Sequence, residues 1–184
     1  MKHKTFFLAA AGLIAAGVAQ GAGTRPLSPE LKKLDIATGQ WVFHGKSLDT
    51  PYSKAGEWTW NETCRWSSDH IYLVCTFANM WSGQAVNSLV VDTYNTHDKT
   101  YWHYEMFSAG AGGKHPFSSR MTIKGNTWIE SGEDEHKGTK IKERIVYTYA
   151  SPARVAVEIQ VSKDGSHWIT VDKGEGVKQN PGGS

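Results

Sequence analysis

Apolar and polar residues alternate with a period of two along most of this chain. The stretch 57–66 does so almost without a break. Trp58, Trp60, Glu62, Cys64 and Trp66 share one face, and Glu57, Thr59, Asn61, Thr63 and Arg65 share the other. Such alternation marks extended strands, whose successive side chains point to opposite faces. The same reading predicts strands at 40–48, 71–78, 84–93, 100–107, 117–124, 127–131, 140–149, 154–162 and 166–172. Turn-forming pairs punctuate them: Asp69-His70, Gly125-Asn126, Ser151-Pro152 and Asp164-Gly165. The helical signal is short. Ser28 can cap it, Pro29 suits its first position, and Leu27, Leu31 and Leu34 share a side, which predicts one or two turns over 30–36. Residues 133–137 read as an acidic loop.

Roughly ten antiparallel strands with short connections predict an all-β fold, an up-and-down barrel. Closure removes the exposed edges of such a meander. A two-sheet sandwich is the alternative. A barrel of this size commonly has room for a small ligand.

A two-residue turn at Asp69-His70 sets Cys64 opposite Cys75 and Trp66 opposite Leu73. A structural disulfide within one hairpin is therefore expected. The likewise tight turn at Asp164-Gly165 sets Val161 opposite Trp168.

The first residues read as an export signal. Lys2 and Lys4 precede an apolar run at 6–18, and small residues follow, with cleavage expected after Ala19 or Gly21. The run is shorter than the ~20 residues of a membrane span. The expected organisation is a leader at 1–21, a barrel at 22–172 and a flexible, glycine-bearing tail at 173–184. Export to the periplasm or beyond also permits the disulfide. Of 20 lysines and arginines, Lys2 and Lys4 fall in the leader, which leaves 18 against 18 acidic residues. That balance lacks the basic excess that nucleic acid or anionic membranes select, so neither is an expected partner.

Gly39-x-Trp41 after a short helix resembles the opening motif of lipocalin-like (calycin) barrels. Tyr94-Asn95, Lys99-Thr100-Tyr101, Ser108-Ala109-Gly110 and Ser162-x-Asp164-Gly165-x-x-Trp168 resemble the motifs of an uncharacterised bacterial family of lipocalin-like barrels, across 31–171. Asn95 stands where that family usually has Asp, and Phe107 where it has a polar residue. The resemblance implies a fold and an internal cavity, and it carries no catalytic residues.

The densest chemistry lies at 92–113, a hairpin followed by a glycine-rich loop. A four-residue turn placing Tyr94 opposite Lys99 puts Val90, Asp92, Tyr101, His103, Glu105 and Phe107 on one face. Leu89, Val91, Trp102, Tyr104 and Met106 take the other. Apolarity favours Trp102, Tyr104 and Met106 inside. The opposite parity sets His103 between Asp92 and Glu105 in a cavity, where a carboxylate raises the basicity of an imidazole and supports proton transfer. Glu62 shares the tryptophan face of its strand. The simpler reading puts it at the barrel mouth, in water or against an arginine. Buried among tryptophans, it would be paired or protonated, a mark of a functional group.

Candidate ligand contacts are Trp41, Trp58, Trp60, Trp66 and Trp168, with Tyr101 or the pair Trp102 and Tyr104 according to that parity. His103, Glu105, Glu62 and Asp92 are the candidate catalytic groups. The histidines lack metal-ligand spacing, the glycines 110, 112 and 113 lack a strand–helix frame for phosphate, and no serine sits in a nucleophile elbow. No metal or cofactor is expected. The leading functional expectation is non-covalent binding of a small, largely apolar or aromatic molecule. The alternatives are a lyase, isomerase or hydrolase using an acid/base pair in the barrel, and a carbohydrate-binding module that stacks sugars on exposed tryptophans.

Overall fold

The computed structural model describes residues 26–81, 84–107 and 117–179. The expected leader at 1–21 and the glycine-rich stretch 108–113 lie outside the described residues. Ten antiparallel strands follow in order: β1 Gly39–Ser47, β2 Gly56–Trp66, β3 Leu73–Trp81, β4 Gln84–Asn95, β5 Thr100–Phe107, β6 Phe117–Lys124, β7 Thr127–His136, β8 Thr139–Ser151, β9 Arg154–Ser162 and β10 Ile169–Gln179. Each strand pairs with its neighbours in sequence, and β1 pairs with β10 to close the barrel. The closing ladder runs from Gln40–Gln179 to Ser47–Asp172 and sets the sandwich aside.

That ladder also corrects the expected tail, because residues 173–179 belong to β10. Their glycines read as loop in sequence, but they make room for aromatic rings. A Cβ on Gly174 would lie 2.3 Å from Trp58 Cη2, one on Gly45 would lie 2.1 Å from Trp58 Cζ2, and one on Gly176 would lie 2.3 Å from the Phe43 ring. Gly45 and Gly174 are direct ladder partners, so both walls thin where the indole lies.

A 3-10 helix, Leu31–Ala37, closes one end of the barrel. The Ser28 hydroxyl accepts from the Leu31 amide at 3.2 Å. The plug is tied down by Trp41 Nε1–H donating to the Ala37 carbonyl, Tyr101 O–H to the Glu30 carbonyl and Trp66 Nε1–H to Asp35. Leu34 of this helix and Leu73 of β3 are fully buried. At the opposite end Tyr52 packs with Ile141, Val161 and Val171 and meets the His136 ring edge-on.

Three local expectations shift. The acidic stretch continues β7 to His136, and the turn falls at Lys137 and Gly138, both with positive φ. The β9–β10 connection is wider than a two-residue turn, because the Asp164 carboxylate accepts from the amides of Ser166 and His167. Val161 therefore faces Ile169. The β4–β5 register moves by two residues, so that Tyr94 faces Tyr101 and Asp92 faces His103. A shift of two preserves which side chains share a face. The β2–β3 register matches expectation, with Cys64 opposite Cys75 in a disulfide.

Candidate functional site

The parity of β5 settles what lies inside. Tyr101 and His103 point inward and are buried, whereas Tyr104 and Met106 are 44% and 43% exposed on the outer wall. Trp102 stacks on Tyr104 at 5.9 Å, donates to Asp98 and lies under the Arg120 guanidinium. Apolarity alone misassigned this strand. Trp102 and Tyr104 are therefore not cavity contacts. Neither is Trp168, which precedes β10 with Arg144 4.0 Å from its ring centroid. Trp66 and Tyr101 serve the plug. Trp58 and Trp60 are buried and stack at 4.5 Å inside the barrel, and Trp41 lines the cavity.

Four acids face His103 across the barrel or along its wall, on β2, β4, β7 and β5 itself. Its Nδ1 lies 2.9 Å from Asp92 Oδ1 and 3.5 Å from Glu130 Oε1. Glu62 lines the same cavity, and Glu105 follows His103 on the inner face of β5. Glu62 is thus neither at the mouth nor beside an arginine. Its carboxyl lies 2.7 Å from Cys64 Sγ. That sulfur is oxidised and has no proton to give, so the hydrogen bond runs from protonated Glu62 to sulfur. Glu62 and the two cysteine sulfurs lie within 4.8 Å of one another, the spacing of a metal-ligand set. With both sulfurs held in the disulfide, only the carboxylate remains as a ligand.

Electrostatics follow from this crowding. Burial, aided by Asp92 and Glu130, pushes Glu62 up to about 8. Burial also raises Glu130, against the pull of His103. For His103 desolvation opposes the charge, but Glu130, Asp92 and the Asp92 hydrogen bond outweigh it and hold the imidazole up to about 10. Burial keeps the Tyr147 and Tyr149 phenols far above their ordinary range. Near neutral pH the cluster holds an imidazolium at His103, with protons retained on Glu62 and Glu130. A shared-proton cluster of this kind can donate and accept hydrogen bonds and can move protons.

The cavity at this cluster has about 30 Å³ of free volume, room for roughly two waters. Phe43, Phe77, Trp128 and Tyr149 complete its wall. Glu130 was not among the sequence candidates, although a signal existed. Trp60-x-Glu62 on β2 recurs as Trp128-x-Glu130 on β7, each placing an acid two residues along the inner face from a buried indole. A Ser119 hydroxyl on β6 and one Glu130 oxygen are buried with no hydrogen-bond partner among the described residues. The β6–β7 ladder stops at Arg120–Ser131, and an outer cleft there reaches Ser119 and Gly132.

No protein-family model matches the sequence, and no curated protein matches it. Among solved structures, Rv2717c from M. tuberculosis is similar with a TM-score of 0.55 at 10% identity, over 84% of this chain and 100% of that one. The S-type phycobiliprotein lyase CPES from Guillardia theta is similar with a TM-score of 0.53 at 10% identity, over 82% and 93%. These likenesses are of fold, and with the closed ten-strand sheet they make this a calycin-like barrel.

Proposed function

We propose that this chain is an exported small-molecule-binding protein, akin to the uncharacterised bacterial lipocalin-like barrels whose motifs it resembles, with its ligand held at mid-barrel. The observation that carries this reading is the convergence of Glu62, Asp92, His103 and Glu130 on one cavity walled by aromatic rings. A folded core gains nothing from four ionisable groups there, since each resists desolvation. They are the convergent polar groups of a ligand site. The aromatic wall supports an apolar or aromatic ligand body, and the acids require that one end carry hydrogen-bond donors. The disulfide agrees with an oxidising compartment. Among the described residues no helix is long and apolar enough to cross a membrane.

An enzyme is the second reading, favoured by the separated proton affinities of His103 and Glu62 in one cavity. A lyase among the similar barrels supports it as an analogy of fold. Sugar stacking is less well supported, because Trp102 and Trp168 on the outer wall each carry a guanidinium near the ring.

Native mass spectrometry of the purified protein tests the binding reading. A co-purifying small molecule, released by Trp128→Ala or Glu130→Ala variants that still fold, is the expected result. A ligand-free protein whose tryptophan fluorescence ignores a small-molecule library would sink it.

A further inference from the structure

The charge count inside the barrel says what the ligand brings. Glu62 on β2, Asp92 on β4, Glu105 on β5 and Glu130 on β7 project from the inner face, and Glu143 on β8 adds to the field at Glu130. Against them stands one cation, the His103 imidazolium. Among the described residues no lysine or arginine lines the cavity. The phenols of Tyr147 and Tyr149 on β8 stay neutral. Burial, with acids crowding one another around a single cation, keeps protons on Glu62 and Glu130.

A second observation is independent of that count. Glu130 is only 5% exposed, and its Oε2 has no hydrogen-bond partner among the described residues. This acceptor is on the cavity wall, where the rings of Trp41, Phe43, Phe77 and Trp128 surround the acids. Aromatic faces attract a desolvated cation, and a neighbouring carboxylate completes such a cage. The protein already uses this contact at the plug, where Lys178 Nζ lies 5.0 Å from the Trp41 ring centroid.

We propose that the barrel cavity binds the head of a small organic cation, a primary alkylammonium, held by Glu62, Asp92 and Glu130 within the aromatic wall. The inference rests on the ligand-binding reading and adds the sign of the ligand's charge. Space for about two waters matches a primary ammonium and its first carbon, and a quaternary head would need the rings to move. His103 does not defeat the site, because its charge is already committed to Asp92 at 2.9 Å. An arriving monovalent cation displaces one of the protons held by Glu62 and Glu130, so the cluster's net charge stays constant. Binding therefore releases protons, and affinity rises with pH until those acids ionise without help.

The test is an NMR titration of the full chain, disulfide intact, with ethylammonium, ethanol and acetate as probes of equal size, following the indole N–H signals. For so small a cation a Kd of roughly millimolar is expected. It should tighten by up to about tenfold per pH unit from about pH 6 to 8, where ethylammonium stays charged. Ethanol and acetate should bind at least tenfold more weakly. Glu130→Gln should weaken ethylammonium at least tenfold and flatten the pH dependence. If that variant fails to fold, Glu62→Gln and the wild-type pH dependence carry the test. Equal binding of ethanol, tighter binding of acetate, or a pH-independent Kd would overturn the inference. If ethylammonium fails while native mass spectrometry finds a neutral or anionic molecule, the cation is wrong and the binding reading stands. If no probe binds and nothing co-purifies, both fall.

Discussion

Asp92 and His103 are direct ladder partners on β4 and β5, and the imidazole Nδ1 lies 2.9 Å from the carboxylate. Both are buried, at 7% and 6% exposure. Breaking one side of a buried ion pair leaves the other charge uncompensated, at a cost of about 3–5 kcal/mol. Glu130 remains 3.5 Å from the same nitrogen, so Asp92→Asn should fall at the low end, about 3 kcal/mol in urea denaturation at pH 6. In the folded variant the imidazole should also lose its proton at lower pH than wild type, as NMR of the ring would show. A loss under about 0.5 kcal/mol, the range of an ordinary surface change, would mean that the pair is not coupled.

Much of the barrel was legible because β2 to β5 alternate cleanly and turn residues separate them. The Cys64–Cys75 pairing was legible too, since it needed only one hairpin register. Strand β5 was harder. Its two faces carry Trp102, Tyr104 and Met106 against Tyr101, His103 and Glu105, and hydropathy favours the wrong one. What decides is cross-strand company: His103 shares its face with Asp92, Glu130 and Glu62, and Asp92 and Glu130 pair with its imidazole. Pairing across distant strands leaves no local trace. Strand β10 failed for a different reason. Gly174 and Gly176 suggest a loose tail, and only the Trp58 and Phe43 rings explain them.

Stability should fall as pH rises through neutrality. Glu62 keeps its proton in the folded state up to about 8, well above its ordinary 4.5, so the native state binds more protons than the unfolded chain between those values. Glu130 shifts the same way. His103 is also raised, to about 10, so its contribution is complete below about 6.5 and is lost as pH climbs toward about 10. All three slopes have one sign, each up to about 1.4 kcal/mol per pH unit. Asp164, whose carboxylate is held below its ordinary 3.8 by bonds from His167 and Ser166, acts oppositely but only at more acid pH. Urea midpoints should be higher at pH 5.5 than at pH 8.5. Glu62→Gln should lessen the slope and stabilise the alkaline state. A midpoint that rises with pH would refute the buried-acid assignment.

The disulfide joins strands only 11 residues apart in sequence. Chain-entropy reasoning for so short a loop gives about 3 kcal/mol. Replacing Cys64 and Cys75 together by Ala should lower stability by about 2–3 kcal/mol while the barrel still folds, since nine further ladders hold the wall. The oxidised protein should show no free thiol by mass spectrometry. Glu62 gives the pair a second readout. Loss of the Cys64 sulfur removes the partner of its carboxyl proton, so the pH slope of stability should change in the double variant. An unchanged slope would mean that the 2.7 Å contact carries no coupling.

Trp58 lies against the Gly45–Gly174 pair, and that contact fixes how much side chain the β1–β10 seam admits. A Cβ at Gly174 would meet Trp58 Cη2 at 2.3 Å and the His44 carbonyl at 2.6 Å. The carbonyl belongs to the closing ladder and cannot turn aside as a side-chain tip can. Gly174→Ala should therefore cost more than the ~1–3 kcal/mol of ordinary overpacking. Gly56→Ala is the internal control, because a Cβ there meets nothing within 4 Å. Its effect should stay within about 0.5 kcal/mol. A Trp58→Phe change made with Gly174→Ala should recover part of the loss, because the smaller ring withdraws from one of the two obstacles. Thermal and urea unfolding of the three variants would show it. If Gly174→Ala and Gly56→Ala cost the same, the indole does not set the spacing of the seam.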